Sequence, residues 1–571
     1  MPRDTSRVSL AGRLLEQADS DAVMVRVLTA AGPDGAGPDA AGPDRAGPDA
    51  AAAGTAASWS YREIIGAALV WARRLERWAG EHGRPARVGL LAENSPEWVV
   101  ADLALLFGGA VEIPVPTAFT AEQAASLLES ADLCLVDDGG ARALERWTGT
   151  DGTAVLPAGC PVTPVRLPEL LAEAPAAAPR PEVPEQDAVV KVIHTSGTTS
   201  APKGVRIRRH GLDELLTSLR ARIRPADFER YLSVVPLSLL IEQVAGLYMP
   251  FLTGGSVSFL PPGTALVGTA ADAGPRMLGL LRQARPTALV VPPTVAALFL
   301  ALCDERPEEG VRERHQRIFG HDGPVFIACG GAPVPAEVLR RLDAYGLTVH
   351  EGYGLSENSS VVSWNVPGEV RFGTVGRPLD HVKAELADDG ELLIHSTSLF
   401  AGYTREDPSS VVVDEQGRLH TGDLAEIDED GYLRITGRKK SMVITASGRN
   451  VSPEWVESRY RELGFVREAA VVADGLEQVH GLFVVDAGLD HATARRRIDA
   501  FGRERLSGIE RAAVIHLMPE DDPGYATCFT VTGRPRRDVV RAHVLRLHTD
   551  HHPTDHHHTE PHHAEKNLEK A

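Results

Sequence analysis

Residues 193–205, IHTSGTTSAPKGV, are the part of this sequence that most constrains the fold. They follow an apolar run at 188–193 that is typical of a buried strand, and they place glycines, hydroxyls and one lysine in a single loop. Glycine lets backbone N–H groups approach a ligand, hydroxyls add donors, and an ammonium group attracts phosphate oxygens. A strand followed by a phosphate-binding loop is therefore predicted. The Walker spacing is absent, and an ordinary polar turn is the alternative for this loop taken alone.

Lysine is rare in this chain, which makes its position informative. Seven of the 59 basic residues are lysine and the rest are arginine. Because the two cations are not interchangeable, the lysine kept at position 203 indicates a need for an ammonium group. The loop residues predicted to bind phosphate are Thr195, Ser196, Gly197, Thr198, Thr199 and Lys203.

The length and charge of the chain argue against several classes of protein. At 571 residues it is too long for one simple core, so two or more domains are expected. The formal charge of −19 argues against nucleic acid or an anionic membrane as the main partner. The five cysteines lack CxxC spacing, which favours reduced core residues over disulfides or a zinc site. No signal peptide or membrane-length apolar run is visible, so a cytoplasmic location without membrane insertion is expected.

Strand-like and helical patterns alternate through most of the chain. Helical spacing at 59–78 and after Asn94 alternates with apolar strands at 87–91, 109–115 and 131–136. This alternation predicts an α/β fold in which largely parallel sheets are covered by helices. Residues 31–57 contain four AGPD repeats and almost nothing apolar, so a disordered insertion is predicted there. The His-rich segment at 546–571 is predicted to be a disordered tail.

A second motif, HEGYGLSE at 350–357, follows the loop by some 150 residues. Its glycines leave the Tyr353 ring free to stack, Ser356 offers a hydroxyl to phosphate, and Glu357 offers a hard oxygen ligand for Mg²⁺. Further candidates follow other strands. They are Gly330 and Gly331 with Ala332, where ligands of parallel sheets bind, Asp423 in a TGD turn, and Arg438 in GRKK. Taken singly, each of these has a plain alternative as a structural turn or a solvated charge.

In this order, the motifs resemble those of the acyl-adenylate-forming superfamily, which includes acyl-CoA synthetases, luciferases and the adenylation domains of peptide synthetases. The resemblance spans roughly residues 59–545 and is nearest in wording to the fatty acyl-CoA synthetase branch. It implies a large N-terminal domain at 59–438 and a small, mobile α+β domain at 439–545, with Lys440 as the hinge. Residues 1–58 are then a lead-in with the repeat insertion.

The resemblance also implies roles for single residues. Tyr353 is implied to contact adenine, Ser356 the α-phosphate, Asp423 the ribose hydroxyls, and Glu357 the metal. The other implied nucleotide contacts are Glu351, Gly352, Gly354, Arg438, Gly330, Gly331, Ala332 and the loop residues named above. The implied acid pocket consists of Ser238, Leu239, Glu242 and Gly330, and the implied catalytic residues are Lys203, Glu357 and Arg534.

Two positions depart from the family pattern. Leu239 stands where the fatty acyl branch usually carries histidine, and Arg534 stands where the family carries a catalytic lysine. Arginine keeps the charge but is wider than lysine. Three explanations stay open for Arg534, namely a functional replacement, altered chemistry, and lapsed activity.

The implied function is ATP-dependent activation of a carboxylic acid as its acyl-AMP, with release of pyrophosphate and transfer to coenzyme A. The implied cofactors are ATP, Mg²⁺ and coenzyme A, and the implied partner is a small-molecule acid. The sequence leaves open another acid or acceptor, for example nitrite-dependent diazo formation on an aryl amine, amide formation, or a carrier protein. It also leaves open a nucleotide-binding pseudoenzyme, the identity of the acid, and whether the protein is a monomer or a homodimer.

Overall fold

The computed structural model describes residues 9–29, 57–148, 155–174, 187–195, 203–266, 274–331, 333–405, 412–439, 443–444, 450–474, 476, 478–508, 510–530 and 533–551. Several predictions from the sequence lie outside the described residues. They concern the repeat insertion, loop residues 196–199, Ala332, the hinge Lys440 and all but the first part of the His-rich segment.

The described residues form strands along the whole chain. They are β1 (Val23–Val27), β2 (Ala57–Ser60), β3 (Arg87–Leu91), β4 (Val111–Pro114), β5 (Leu133–Val136), β6 (Val162–Pro164), β7 (Val189–Thr195), β8 (Lys203–Arg208), β9 (Arg230–Leu232), β10 (Ser256–Phe259), β11 (Ala288–Val291), β12 (Phe326–Cys329), β13 (Val349–Leu355), β14 (Ser360–Trp364), β15 (Arg377–Pro378), β16 (Val382–Leu386), β17 (Glu391–Ser396), β18 (Leu419–Ile427), β19 (Leu433–Arg438), β20 (Val443–Ile444), β21 (Asn450–Val451), β22 (Val466–Val472), β23 (His480–Val485) and β24 (Val514–Pro519).

Helices separate most of these strands. They are α1 (Leu10–Glu16), α2 (Tyr61–His82), α3 (Pro96–Phe107), α4 (Ala121–Leu128), α5 (Asp138–Thr148), α6 (Leu167–Glu173), α7 (Arg209–Arg222), α8 (Leu240–Glu242), α9 (Met249–Leu252), α10 (Gly274–Ala284), α11 (Pro293–Asp304), α12 (Val311–Phe319), α13 (Ala336–Ala344), α14 (Pro453–Tyr460), α15 (His491–Arg505), α16 (Tyr525–Cys528) and α17 (Arg537–His551). A π-helical segment (Gln243–Tyr248) joins α8 to α9, and short 3-10 turns lie at Pro225–Phe228 and Ser356–Asn358.

The chain divides into two compact units, Met1–Lys440 and Ser441–Ala571. The first contains a nine-stranded sheet in the order β15-β14-β13-β12-β11-β9-β10-β1-β2 and a six-stranded sheet in the order β6-β5-β3-β4-β7-β8. Inner strands of both sheets pair in parallel, and antiparallel pairs lie towards the edges. A four-stranded antiparallel sheet, β16-β17-β18-β19, completes this unit. The predicted α/β class with helix-covered, largely parallel sheets is confirmed.

The second unit is small and mixes helices with short sheets. It contains the pair β20–β21 and a three-stranded sheet in the order β22-β23-β24, in which β22 is an edge strand. Helices α14 and α17 pack against β22, and one core joins Val456 and Tyr460 of α14 to Phe483 of β23. In the described part of the chain, no helix is both long and apolar enough to cross a bilayer.

The first described residues belong to the large unit, although the sequence placed the start of that domain at Trp59. Strand β1 pairs in parallel with β10 and in antiparallel with β2, so it lies inside the nine-stranded sheet. Leu10 and Leu14 of α1, with Met24 and Val25 of β1, are buried in the main core. The lead-in predicted for residues 1–58 is therefore, over 10–27, a structural part of the large sheet.

Local sequence signals explain how the first helices begin. Ser60 and Glu63 form a capping box at α2, in which the Glu63 N–H donates to Ser60 Oγ and the Ser60 N–H donates to Glu63 Oε2. At α3, Ser95 accepts from the Trp98 N–H and Pro96 occupies the first helical position. These caps fix the entry of two helices whose apolar faces join the same core as strands of both large sheets.

A buried cluster of charged groups connects the six-stranded sheet to α3 and the π-helical segment. Lys191 Nζ on β7 lies 2.5 Å from Asp102 Oδ1 and contacts Glu112 of β4, and all three side chains are at most 3% exposed. Tyr248 donates to Asp102 Oδ1 at 2.8 Å. Burial raises the pKa of Glu112 to about 8, against the attraction of the lysine. A neutral Glu112 beside a Lys191–Asp102 pair leaves the cluster without net charge, which is the state that burial favours.

Replacing Lys191 with methionine should destabilise the large unit by about 3–5 kcal/mol, because the Asp102 carboxylate would stay buried without its cation. Lys383→Met is the matched control, since Lys383 is 74% exposed and its ion pair with Glu385 lies at the surface. That change should cost less than about 0.5 kcal/mol. Urea unfolding of the three proteins measures both values. Equal losses in the two variants would contradict a stabilising role for the buried cluster.

Candidate active site

The carboxyl ends of β12 and β13 bring two glycine-containing segments together. Cys329 pairs with Glu351, and a Cβ added at Gly330 would lie 3.3 Å from the Gly352 carbonyl oxygen. Gly331 has a φ of +82°, a conformation that glycine adopts without strain. The Val334 N–H donates to Glu351 Oε1 at 3.0 Å, so Glu351 holds the loop that begins at Gly330. Ligands of parallel sheets bind at this edge, which makes the two segments one candidate site.

Burial makes Glu351 a weaker acid than an ordinary carboxyl. It raises the pKa of Glu351 to about 7, and the hydrogen bond from the Val334 N–H opposes the rise. The predicted nucleotide contact at this position is thus a buried residue that anchors a loop.

Tyr353 joins the end of β13 to the four-stranded sheet. Its phenol donates to Asp423 Oδ2 at 2.5 Å, and Asp423 Oδ1 lies 3.1 Å from Arg438 Nε. Asp423 and Arg438 face each other across the β18–β19 pair, and the Asp423 N–H donates to Thr421 Oγ1. Burial and the charge of Asp423 raise the pKa of Tyr353 well above its ordinary value. Three residues predicted separately for the nucleotide therefore form one hydrogen-bonded group.

Glu357 lies on the 3-10 turn that follows β13. Its side chain is buried, and Glu357 Oε1 accepts a hydrogen bond from the Tyr403 hydroxyl at 2.7 Å. The Phe400 N–H donates to the Glu357 carbonyl oxygen at 2.9 Å. The candidate metal ligand is thus fixed by the segment that contains Phe400 and Tyr403.

That segment, residues 400–404, also lies along β8, and we call it the strap. The Ala401 N–H donates to the Arg206 carbonyl at 2.7 Å, and the Thr404 N–H donates to the Gly204 carbonyl at 2.8 Å. A Cβ at Gly204 would lie 2.7 Å from Thr404 Cγ2, so glycine is needed for this close approach. The strap therefore joins β8 of the six-stranded sheet to the turn of Glu357, which follows a strand of the nine-stranded sheet.

The predicted phosphate loop connects the ends of β7 and β8. The two strands pair in antiparallel, and Thr195 at the end of β7 lies opposite Lys203 at the start of β8. Ser196, Gly197, Thr198 and Thr199 lie outside the described residues. The strap thus contacts the strand that begins with Lys203.

The turn after Glu357 has a strained backbone. Ser359 and Ser360 have φ values of +55° and +114°, which residues other than glycine rarely adopt. Ser359 Oγ donates to the Ser398 carbonyl at 2.7 Å. A Cβ at Gly354 would lie 1.9 Å from the Ser360 carbonyl oxygen, so the pairing of β13 with β14 excludes a side chain there. Strain of this kind is stored where the surrounding structure holds it, and it often marks a functional site.

The predicted acid pocket divides into exposed and buried residues. Leu239 is 47% exposed and Ser238 is partly exposed, whereas Glu242 is fully buried. Glu242 accepts hydrogen bonds from the Tyr231 hydroxyl at 2.7 Å and from Ser233 Oγ at 2.6 Å. Its carboxyl therefore lies in the core between β9 and the π-helical segment. It packs beneath the predicted pocket residues and is not exposed beside them.

Arg534 belongs to the small unit. It is exposed, and it follows Gly533 in a turn where the Thr530 N–H donates to the Arg534 carbonyl at 2.9 Å. The predicted role of Arg534 in catalysis stays a prediction.

Comparison with known proteins identifies the family. A family model described as AMP-binding enzyme matches residues 42–404, which is more than half of the chain. The chain belongs to the AMP-binding enzyme family.

Relatives within this family are similar along most of the chain. A long-chain-fatty-acid–CoA ligase, FadD15 of Mycobacterium bovis, is 28% identical over 448 residues, which cover 70% of this chain and 73% of the relative. A putative fatty-acid–CoA ligase, fadD11 of Mycobacterium tuberculosis, is 29% identical over 393 residues, which cover 58% of this chain and 68% of the relative. The resemblance to the fatty acyl-CoA synthetase branch is confirmed.

Solved structures share the fold of this AMP-binding enzyme. The anthranilate CoA ligase AuaEII, solved with anthranoyl-AMP, superposes with a TM-score of 0.72 at 20% identity, covering 95% of this chain and 98% of that one. A benzoate CoA ligase from Burkholderia xenovorans LB400 gives a TM-score of 0.71 at 20% identity, covering 94% and 100%. At these identities the likeness establishes the fold.

Reasoning from the sequence missed the roles of Tyr403 and Ser398 in this AMP-binding enzyme. Tyr403 reaches Glu357, and Ser398 holds the strained turn at Ser359. Tyr403 lies in the FAGY segment at 400–403, which resembles a family landmark, and that position was the available signal. Nothing in the sequence around Ser398 distinguishes it from other serines.

Stability should depend on pH through Glu242. Burial raises its pKa in the folded chain to about 8 from an ordinary value of 4.5. The stabilisation by the protonated form is complete below about pH 4.5 and is lost as the pH rises through about 8, at up to about 1.4 kcal/mol per pH unit. In Glu242→Gln, which has no such proton, the free energy of unfolding should fall less steeply between about pH 5.5 and pH 7.5. Chemical denaturation across this range measures the slope, and parallel curves would contradict a protonated Glu242.

Proposed function

We propose that this AMP-binding enzyme activates a carboxylic acid with ATP, releases pyrophosphate, and transfers the acyl group from AMP to coenzyme A. One observation carries the proposal. The strap joins the strand that begins with Lys203 to the turn of Glu357, and this contact supports a shared binding place for a phosphate group and its counter-ion. The relatives named as fatty-acid–CoA ligases support the same reaction.

The group formed by Tyr353, Asp423 and Arg438 suits a nucleoside. Asp423 accepts from the Tyr353 hydroxyl on one oxygen and pairs with Arg438 on the other, which fixes the orientation of its carboxylate. In the proposal the two ribose hydroxyls donate to this carboxylate, because a carboxylate oxygen can accept more than one hydrogen bond. Tyr353 is partly exposed at the end of β13, where its ring can stack on the adenine base.

The first step places negative charge around the α-phosphorus of ATP. The acid attacks this phosphorus and pyrophosphate leaves, with little covalent participation by the protein. Lys203, the loop hydroxyls and Ser356 would stabilise the charge by fixed donors, which act most strongly when they are positioned in advance. In the proposal, Arg534 adds a second cation at this step.

Glu357 fits a magnesium site shared with the substrate. Mg²⁺ prefers hard oxygens and is commonly held by one or two carboxylates together with phosphate oxygens and water. Glu357 supplies a carboxylate whose orientation is fixed by Tyr403. When bound, the ion neutralises charge on the phosphates of ATP.

The second step delivers a thiol to the acyl-AMP. The resemblance assigns this step to residues 443–454 after a rotation about Lys440, and the domain boundaries at 438 and 545 belong to the same proposal. Such a rotation lets one cleft perform two steps that need different groups.

The exposed, apolar Leu239 supports an apolar acid, either fatty or aryl. Two departures from the family pattern, Leu239 in place of histidine and Arg534 in place of lysine, support a second candidate reaction. In that reaction the acid is another small anion such as nitrite, or the acceptor is an amine. Pyrophosphate release with acids of graded size and with nitrite, followed by AMP release with coenzyme A or amines, separates the two candidates. A protein that binds ATP but releases no pyrophosphate with any acid would be a pseudoenzyme and would end the proposal.

Glu357→Ala should lower acid-dependent exchange between ATP and pyrophosphate by at least about 100-fold, because the transition state would lose a fixed charge contact. Glu369→Ala is the control, since Glu369 is 50% exposed and pairs with Arg377 at 3.7 Å outside the site. Unchanged exchange in Glu357→Ala, with the control equally active, would refute the metal assignment.

Arg534→Lys should keep or raise the exchange rate, because an ammonium group preserves the charge in a narrower side chain. Arg534→Ala should lower the rate by about 100-fold, since one charge contact in the transition state is removed. Steady-state exchange assays at saturating acid measure both effects. An arginine-to-lysine variant as slow as the alanine variant would show that the guanidinium geometry itself is required.

A further inference from the structure

We propose that Glu468 is a positioning residue that fixes the turn of Arg534 and thereby supports acyl-AMP formation. The proposal rests on the function proposed above, and it adds a residue of the small unit to that reaction. All the contacts that carry it lie within the second unit.

The first observation is the close approach of Glu468 to Gly533. Gly533 is buried and has a φ of +74°. A Cβ built on it would lie 1.8 Å from Glu468 Oε1 and 2.4 Å from Glu468 Cδ. The Glu468 carboxyl therefore lies directly against the backbone of the turn, in space that any side chain at 533 would need. Glycine is required here both for its conformation and for this contact.

Hydrogen bonds make the turn a compact unit around this contact. The Gly533 N–H donates to the Thr530 carbonyl, and the Thr530 N–H donates to the Arg534 carbonyl, each at 2.9 Å. The Arg534 N–H donates to Thr530 Oγ1 at 3.0 Å. Because Arg534 follows Gly533 directly, the position of its side chain depends on the surface that supports Gly533.

Glu468 is itself held by the edge strand β22. It lies at a register shift between β22 and β23, and its side chain is 12% exposed. Arg461, the residue that follows α14, orients the carboxyl, since its Nη1 lies 3.6 Å from Glu468 Oε2. A carboxyl that is mostly buried, paired with an arginine and placed on a strand has little freedom to move.

The titratable groups around Glu468 come from three helices, α14 with its last turn, α16 and α17. Burial raises the pKa of Glu468 to about 7, while Arg461 lowers it and Glu457 of α14 raises it. Tyr525 of α16 faces the same carboxyl, and Arg537 of α17 pairs with Glu457. A large neutral fraction near pH 7 means that the shape of the carboxyl, more than its charge, supports the turn. Glutamine, which has nearly the same shape, is therefore the conservative replacement.

The two half-reactions separate a positioning role from a general loss of stability. In the proposed function Arg534 acts on acyl-AMP formation, whereas thiolysis of a supplied acyl-AMP does not use it. Glu468→Ala should lower ATP–pyrophosphate exchange by about 10–100-fold, since misplacement of a contact by about 1 Å has effects of this size. Thiolysis should change by less than about 2-fold, and Glu468→Gln should restore most of the exchange. Glu520→Ala, at a 56% exposed position of the same unit, is the control for both assays.

A double-mutant cycle tests whether Glu468 acts through Arg534. If it does, Glu468→Ala should cause no further loss of exchange in a protein that already carries Arg534→Ala. An additive loss, or equal losses in exchange and thiolysis, would overturn the proposal.

Hydrogen exchange tests the same contact without any substrate. The amides of Thr530, Gly533 and Arg534 donate hydrogen bonds within the turn, and they should exchange at least about 10-fold faster in Glu468→Ala than in the wild type. In Glu468→Gln their exchange should stay near that of the wild type. Unchanged protection in Glu468→Ala would overturn the positioning role even if the wild type showed no exchange between ATP and pyrophosphate with any acid. That second result would refute the proposed function alone.

Discussion

The contact between the strap and the two large sheets is the constraint on which the candidate active site depends. Residues 400–404 bind along β8 through backbone hydrogen bonds, and Tyr403 reaches across to Glu357. The strand that begins with Lys203 and the turn of Glu357 belong to different sheets, and each sheet alone places only part of the site. Gly204 allows this contact, because it has no side chain that would separate the strap from the strand. Without this contact, the predicted phosphate and metal ligands would lie on separately supported elements.

Buried carboxyl groups fix the shape of the large unit without adding charge to it. Glu112, Glu242 and Glu351 all have raised pKa values, and burial is the first cause in each case. A carboxylate that is removed from water loses more hydration free energy than a few hydrogen bonds can replace. Burial therefore favours the protonated form. Each group still accepts hydrogen bonds, and these join strands to the segments that border the site. The carboxyl groups predicted to contact the nucleotide and the metal are Asp423 and Glu357, which contact Arg438 and Tyr403.

The sequence was sufficient to predict what depends on local pattern. Alternating apolar periods gave the α/β class, and the order of the motifs gave the family. It was insufficient where a contact joins distant residues, as between Tyr403 and Glu357, because no local signal encodes their approach. The burial of Glu242, a predicted pocket residue, was not anticipated for a related reason. The π-helical segment from Gln243 changes the helical period just after Glu242, and hydrogen bonds from Tyr231 and Ser233 direct its carboxyl into the core. Strand β1 was missed because a long repeat separates it from the pattern to which it belongs.

The turn of Arg534 separates two questions, namely which cation stands at this position and what supports it. The side chain at 534 is an arginine, but the turn beneath it has a glycine with positive φ, two backbone hydrogen bonds that involve Thr530, and a carboxyl packed against Gly533. A solvated surface loop needs none of these features, since an exposed cation keeps its charge in any conformation. A cation that must reach a phosphate needs all of them, because the entropy of a long side chain is lost at each contact unless the backbone is already fixed. In the proposed function, a fixed turn lowers this entropy cost for either cation, so the support of residue 534 matters whether its side chain is an arginine or a lysine.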